Sequence, residues 1–352
     1  MLYNQKNPHG GDVYSEQITL DFSSNTNPLG TPPGVVAAIR AAAAQVRQYP
    51  DPYCRALVSA IAAYEHVPAR AVLCGAGAAE LIYAYCQALR PVCAAELAPT
   101  FLEYSAAASY YGARVVRYTL SAEREFLPDE RLLAFLAEQK PEVLFLCSPN
   151  NPTGRCFPRP LLEKVLTCCR KQGTRVLLDE CFLDFTEQRS AAGLLPDYPN
   201  VLLLKAFTKN YALAGVRVGY CLTWDTALLE KMAAGMQPWN VSLLAQQAGV
   251  AALQQTQFLQ ETRAMLPAER AFMQQGLQAL GFSVYPSEAN YLLFRAPIGL
   301  DAALRREGIA IRNCSNYPGL GPGWYRTAVR LREENEALLA ALRRVMEDET
   351  WR

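Results

Sequence analysis

Between residues 72 and 222, short apolar runs alternate with helical segments, and this alternation limits the fold more than any other feature of the chain. Runs at 72–74, 92–97, 114–118, 143–147, 175–180, 201–204 and 216–222 read as strands. Segments at 81–89, 129–138 and 161–171 read as helices, and another helix opens at Pro99-Thr100-Phe101-Leu102-Glu103-Tyr104. Strands separated by helices are expected to form a mostly parallel sheet covered on both faces, an α/β architecture. Ligands of such sheets bind beyond the carboxyl ends of the strands. Gly75, Tyr104, Asn151, Asp179 and Lys209 all fall at or just beyond those ends. Their common placement points to one site.

The flanks of this block differ from it. Residues 1–33 are polar and rich in Gly, Pro and Asn, so they cannot build a core and should lie as an arm across something else. The hydrogen-bonding side chains from Ser23 to Asn27 favour the edge of a site. An Ala-rich helix is expected at 34–46, ended by Tyr49-Pro50-Asp51-Pro52-Tyr53. After Asp225 helices dominate, at 243–253 and 258–280; Pro267 should kink or interrupt the second. Strands near 282–285, 291–295, 309–312 and 325–331, with a closing helix at 334–346, make a small α+β domain. The expected division is 1–48 for an arm and helix joining the small domain, 49–240 for the large domain and 241–352 for the small one.

Charge and cysteine usage narrow the class. With 34 basic and 33 acidic residues, nothing suggests a nucleic-acid or anionic membrane partner. No apolar run is long enough to span a bilayer, and the first residues have no apolar core of a signal peptide. The 11 cysteines are odd in number, include no Cys-x-x-Cys and accompany only 2 histidines, so no metal site is expected. They read as small buried hydrophobes of a cytoplasmic protein.

The chemistry concentrates between residues 201 and 220. An apolar strand runs into Thr208-Lys209-Asn210, followed by Arg217. A phosphate between Thr208 and Arg217 would lie beside the Lys209 amine, as needed to hold pyridoxal phosphate in a Schiff base. Gly75-Ala76-Gly77-Ala78-Ala79, between a strand and a helix, offers backbone N–H groups to an anion.

Three motifs then occur in order: Ser148-Pro149-Asn150-Asn151-Pro152-Thr153-Gly154, Asp179-Glu180, and the Lys209 segment with Tyr211, Leu213, Gly215, Arg217, Gly219 and Tyr220. On these the chain resembles the aspartate-aminotransferase-like, fold-type I pyridoxal-phosphate enzymes over nearly its whole length. Within that family, His9-Gly10-Gly11, Asp21 to Gly30, Gln237-Pro238-Trp239-Asn240 and Ser315 to Leu320 make it similar to the L-threonine-O-3-phosphate decarboxylases of cobalamin biosynthesis. The histidinol-phosphate aminotransferases come next. The resemblance implies that Lys209 binds pyridoxal 5'-phosphate and moves protons at the substrate Cα. It implies that Asp179 faces the pyridine nitrogen, Asn151 the phenolic oxygen, and that Tyr104 stacks on the ring. The cofactor phosphate would sit on Gly75, Ala76, Gly77, Ala78 and Ala79, with Thr208 and Arg217. Tyr49 would reach the cofactor phosphate of a neighbouring subunit, making a homodimer with shared sites. Arg312 would bind the phosphate of a phosphorylated amino acid, Arg326 its α-carboxylate, and His9 and Asn25 would join them. The arm, with His9 and residues 25–27, is expected to order when substrate binds. Where many relatives carry a tyrosine, three residues after Asp179, this chain has Phe182.

Overall fold

The computed structural model describes residues 8–14 and 17–348. The first half of the chain contains β1 (Leu20–Asp21), α1 (Pro33–Ala43), α2 (Arg55–Glu65), β2 (Val72–Gly75), α3 (Ala78–Leu89), β3 (Cys93–Ala98), α4 (Glu103–Tyr110), β4 (Arg114–Thr119), α5 (Arg131–Gln139), β5 (Val143–Cys147), α6 (Arg159–Gln172) and β6 (Arg175–Asp179). Then follow β7 (Val201–Ala206), the single turn α7 (Phe207–Asn210), β8 (Gly219–Leu222), α8 (Thr226–Gly235), α9 (Leu243–Leu253) and α10 (Thr256–Ala279). The chain closes with β9 (Ser283–Val284), β10 (Tyr291–Arg295), α11 (Leu300–Arg306), β11 (Ile309–Ala310), β12 (Arg312–Asn313), β13 (Trp324–Ala328) and α12 (Arg332–Glu347).

A 7-stranded sheet in the order β2-β8-β7-β6-β5-β3-β4 forms the large domain. Only β8 runs against its neighbours, so the sheet is mostly parallel. Its central strands β5 and β7 are buried along their whole length, as strands covered on both faces must be, and the one charge among them, Lys205, is paired with Glu65 at 2.8 Å. The register sets Cys147 beside Asp179 and Asp179 beside Leu204. Segments far apart in sequence thus end side by side at the carboxyl edge. β8 starts at Gly219 rather than at 216 because Arg217 has φ 63°, a left-handed conformation that a strand cannot contain.

The small domain is built on the antiparallel sheet β12-β13-β10-β9. The arm belongs to it. Leu20 and Asp21 pair in parallel with Ile309 and Ala310, and Phe22 is fully buried in the small-domain core. Asn25 and Asn27 are buried too, and Asn290 Nδ2 donates to the Asn25 carbonyl. The same amide donates to the Thr26 carbonyl, and the Asn27 N–H donates to the Lys209 carbonyl.

The expected domain boundaries shift. Val35 of α1 and Ala245, Ala248 and Ala252 of α9 join the large-domain core, so neither helix belongs with the small domain. Small residues make this packing close: a Cβ on Gly249 would lie 2.7 Å from Leu57 Cδ1. The division falls instead within α10, whose Leu259 lies in the large core while Leu266, Met273 and Leu277 lie in the small one. α10 also runs uninterrupted through Pro267. That residue is exposed, so the carbonyl left without a donor can be hydrated. All 11 cysteines are unpaired thiols, and among the described residues no helix is long and apolar enough to cross a membrane.

Candidate active site

The carboxyl edge of the large sheet and the inner face of the small one enclose a cavity of about 350 Å³. Lys209 enters it from α7, the turn that directly follows β7. Burial, reinforced by the charges of Arg326 and Arg217, depresses its amine from 10.5 to about 8. Its peptide is held by Asn27, whose N–H donates to the Lys209 carbonyl at 2.8 Å. The Asn27 amide also donates to Asn210 O and Thr262 Oγ1, each at 2.8 Å. The Lys209 segment is thereby tied to the arm and to α10.

Asp179 ends β6 and lines the same cavity. Burial pushes its carboxyl above the usual range, and hydrogen bonds from Cys181 and Tyr104 work against that rise. The Cys181 N–H donates to Oδ1 at 2.8 Å and the Tyr104 hydroxyl to Oδ2 at 2.6 Å. This changes the expected part of Tyr104. Its ring stacks on Phe145, with centroids 5.4 Å apart and an interplanar angle of 9°, and its hydroxyl fixes the carboxylate. Phe101, a turn earlier, also lines the cavity. It lies edge-on to Tyr104 at 5.6 Å and 5.7 Å from the His9 ring.

Asn151 is buried and accepts a hydrogen bond from Arg326 Nη1 through Oδ1. Its neighbour Asn150 makes the loop rigid. The Asn150 side chain accepts from Thr100 Oγ1 at 2.7 Å and donates to Pro99 O at 2.9 Å. Phe182 lines the cavity with its ring edge-on to Tyr291, so its position supplies no hydroxyl.

The loop before α3 is narrower in its offerings than expected. The Ala76 N–H donates to Glu80 Oε2 at 2.6 Å, and the Gly77 N–H to Gly75 O at 2.8 Å. Both are committed, and of these five residues only Ala78 and Ala79 line the cavity. Their N–H groups belong to the first turn of α3, which has no intrahelical acceptors. Gly75 and Gly77 shape the loop. Gly77 has φ 90°, and a Cβ there would lie 2.5 Å from Arg217 Nη2. That guanidinium and Thr208 complete the cup.

On the small-domain side, Arg312 and Arg326 are direct partners across β12 and β13. Both are buried and both line the cavity. Arg312 lies over the Tyr317 ring at 5.0 Å and Arg326 over Tyr291 at 5.5 Å. Arg326 Nη2 donates to Ser23 O at 2.7 Å, while its Nε and both amide atoms of Asn25 have no partner among the described residues. Buried polar atoms left open in a cavity wall are the groups a ligand satisfies. His9 also lines the cavity. Tyr49 does not: it is 78% exposed and packs on Trp239, 4.6 Å away. Sequence alone did not mark Phe101, Cys147 or Cys181 as site residues, all of which line the cavity, as do Ser23 and Ser24 of the expected site edge. Cys181 and Phe101 had a signal, since they adjoin Asp179-Glu180 and share the helix start with Tyr104.

The donor set suits pyridoxal 5'-phosphate. Its aldehyde requires an amine that can lose its proton, its ring nitrogen a fixed carboxylate, and its phosphate N–H groups with a cation. Lys209, Asp179 and the cup at Ala78, Ala79, Thr208 and Arg217 offer these in one cavity.

Comparison with known proteins agrees. Residues 17–342 match the family aminotransferase class I and II. The chain is 37% identical to threonine-phosphate decarboxylase of Salmonella typhimurium, over 96% of each chain. It is 36% identical to histidinol-phosphate aminotransferase of Anaeromyxobacter sp., covering 95% of this chain and 92% of that one. The solved histidinol-phosphate aminotransferase of Clostridium acetobutylicum superposes with a TM-score of 0.87 at 28% identity, covering 94% and 99%. From the cavity chemistry and these matches, the chain belongs to the class I and II aminotransferase family of pyridoxal-phosphate-dependent enzymes.

Proposed function

We propose that the protein decarboxylates L-threonine O-3-phosphate to (R)-1-amino-2-propanol O-2-phosphate, the reaction that serves cobalamin biosynthesis. The observation that carries this reading is the register of Arg312 against Arg326 on one wall of the cavity. Like charges directly opposite on paired strands are destabilising, so the pair suits a ligand with two anionic groups. An α-carboxylate and a phosphate meet that need, and planar guanidinium matches both. The relation to the Salmonella decarboxylase supports the same choice.

In this reading Asp179 faces the cofactor's ring nitrogen, held in place by Tyr104 and Cys181. Asn151 meets the phenolic oxygen, and Ala78, Ala79, Thr208 and Arg217 hold the phosphate. Bound there, the cofactor would supply a sink for the electron pair released as the Cα–carboxylate bond breaks. Arg326 and Arg312 orient the substrate so that this bond, and not Cα–H, is the one activated. CO₂ leaves, and the Lys209 side chain delivers a proton to Cα.

A second reading, transamination of histidinol phosphate, has the support of the Anaeromyxobacter relative. Incubation with threonine phosphate and no 2-oxo acid separates the two. The expected result is stoichiometric CO₂; amino transfer from histidinol phosphate to 2-oxoglutarate without CO₂ would replace the proposal with the second reading.

The same reading makes the protein a cytoplasmic homodimer. Tyr49 is exposed beside Trp239 and apart from its own cavity, which is consistent with a role at a partner's cofactor phosphate. Specific activity should fall on dilution as the dimer dissociates, and a fully active monomer in sedimentation would contradict this.

A further inference from the structure

One charged cluster beside the cavity has no part in the scheme above. Glu103 opens α4, and its Oε1 lies 2.6 Å from His9 Nε2. Glu103 itself does not line the cavity, whereas His9 does. Burial of Glu103 is substantial, yet the hydrogen bond from His9, assisted by Tyr83, holds its carboxyl below the usual range.

The segment carrying His9 is fixed on both sides. Before it, the Pro8 carbonyl accepts from Arg312 Nη2 and from Asn316 Nδ2. After it, the Gly11 N–H donates to Ser23 Oγ at 2.8 Å. A Cβ on Gly10 would come within 2.7 Å of Ser23 O, so the strand of chain lies flat on the cavity wall. His9 thereby lines the same cavity as Arg312.

Arg312 cannot satisfy a phosphate alone. Its N–H groups already donate to Asn313 O, Pro8 O and Asn316 Oδ1. A guanidinium has five donors in all, whereas a phosphate monoester presents three strong acceptor oxygens. A further donor beside Arg312 is needed.

We propose that Glu103 is a positioning residue that holds the His9 ring for the phosphate subsite. The inference rests on the reading that the substrate carries a phosphate beside Arg312. Glu103 touches no substrate; it acts through His9. A bare carboxylate in that place would repel the anion, so its effect must reverse sign when His9 is absent.

The test is calorimetric titration of the cofactor-loaded, full-length protein with inorganic phosphate, the cofactor filling its own phosphate cup. His9→Ala should weaken binding about 10-fold and Glu103→Gln about 5-fold, as for loss of one charge-assisted contact and of its support. In the His9→Ala background, Glu103→Gln should instead tighten binding, about 2- to 3-fold, by removing the repulsion. The glutamine keeps an acceptor for His9 and the helix start, which guards against unfolding; unchanged melting temperatures check it. If Glu103→Gln is silent, or weakens binding equally in both backgrounds, Glu103 is structural and the inference fails while the phosphate subsite stands. If the wild type takes up no phosphate, the phosphate reading itself fails.

Discussion

Lys209→Ala is expected to abolish CO₂ release, lowering the rate by at least about 10⁴-fold, since one side chain supplies both the covalent attachment and the proton transfer. The variant should also lose the visible absorbance of the bound cofactor, and wild-type protein that is colourless would already contradict the family chemistry. A second consequence follows for the cofactor-free protein. Burial depresses the Lys209 amine from 10.5 to about 8, so between those values the unfolded chain binds more protons than the folded one. Stability contributed here rises with pH across that window. Below pH 8 the buried charge costs on the order of 3 kcal/mol. Lys209→Met keeps the apolar stem and removes the charge. It should raise the melting temperature of the cofactor-free protein at about pH 7, and the difference should shrink towards pH 10 as the wild-type amine becomes neutral. An equal difference at both pH values would show that Lys209 is not held near neutrality.

The next largest effects belong to the two arginines, and they should differ in kind. Arg312→Ala should lower kcat/KM for threonine phosphate by roughly 30- to 5,000-fold, the equivalent of about 2 to 5 kcal/mol for a lost contact to a buried charge. It should leave cofactor absorbance intact. Free threonine, with no phosphate, should be a poor substrate of the wild type and should hardly register the change. Arg326→Ala should damage both reactions, because each substrate carries the α-carboxylate and because Asn151 and Ser23 O also lose a partner. Serine phosphate lacks one methyl, worth only about 1 to 3 kcal/mol, so some activity on it is expected. Equal wild-type rates on threonine and threonine phosphate would overturn the assignment of Arg312.

The large sheet was legible because its evidence is local. Runs such as 143–147 and 201–204 can only be buried strands, and the placement of Asp179 and Lys209 at their ends follows from topology. Parts that depend on long-range pairing were not legible. The two-residue strand at Leu20 exists because Ile309 and Ala310 lie beside it, nearly a whole chain away. Periodicity marks α1 and α9 as helices but says nothing of which core receives their small-residue faces. The Tyr104 hydroxyl found Asp179 across 75 residues, a contact no spacing encodes. The loop at Ala76 misled for a different reason: a glycine-rich turn advertises free N–H groups, and only the structure reveals that Glu80 folds back to take one.

The continuity of α10 also bears on how the molecule comes apart. At about 1.5 Å per residue, its 24 residues make a rod of roughly 36 Å. One end is planted in the large-domain core and the remainder in the small one. Here the passage between the cores is itself a helix, not a loose tether that could be cut or lengthened. Melting either core strips packing from the same rod, so the two are coupled into one cooperative unit. Neither half has the makings of a free-standing module, and insertions tolerated elsewhere on the surface would here drive the two walls of the catalytic cleft out of register.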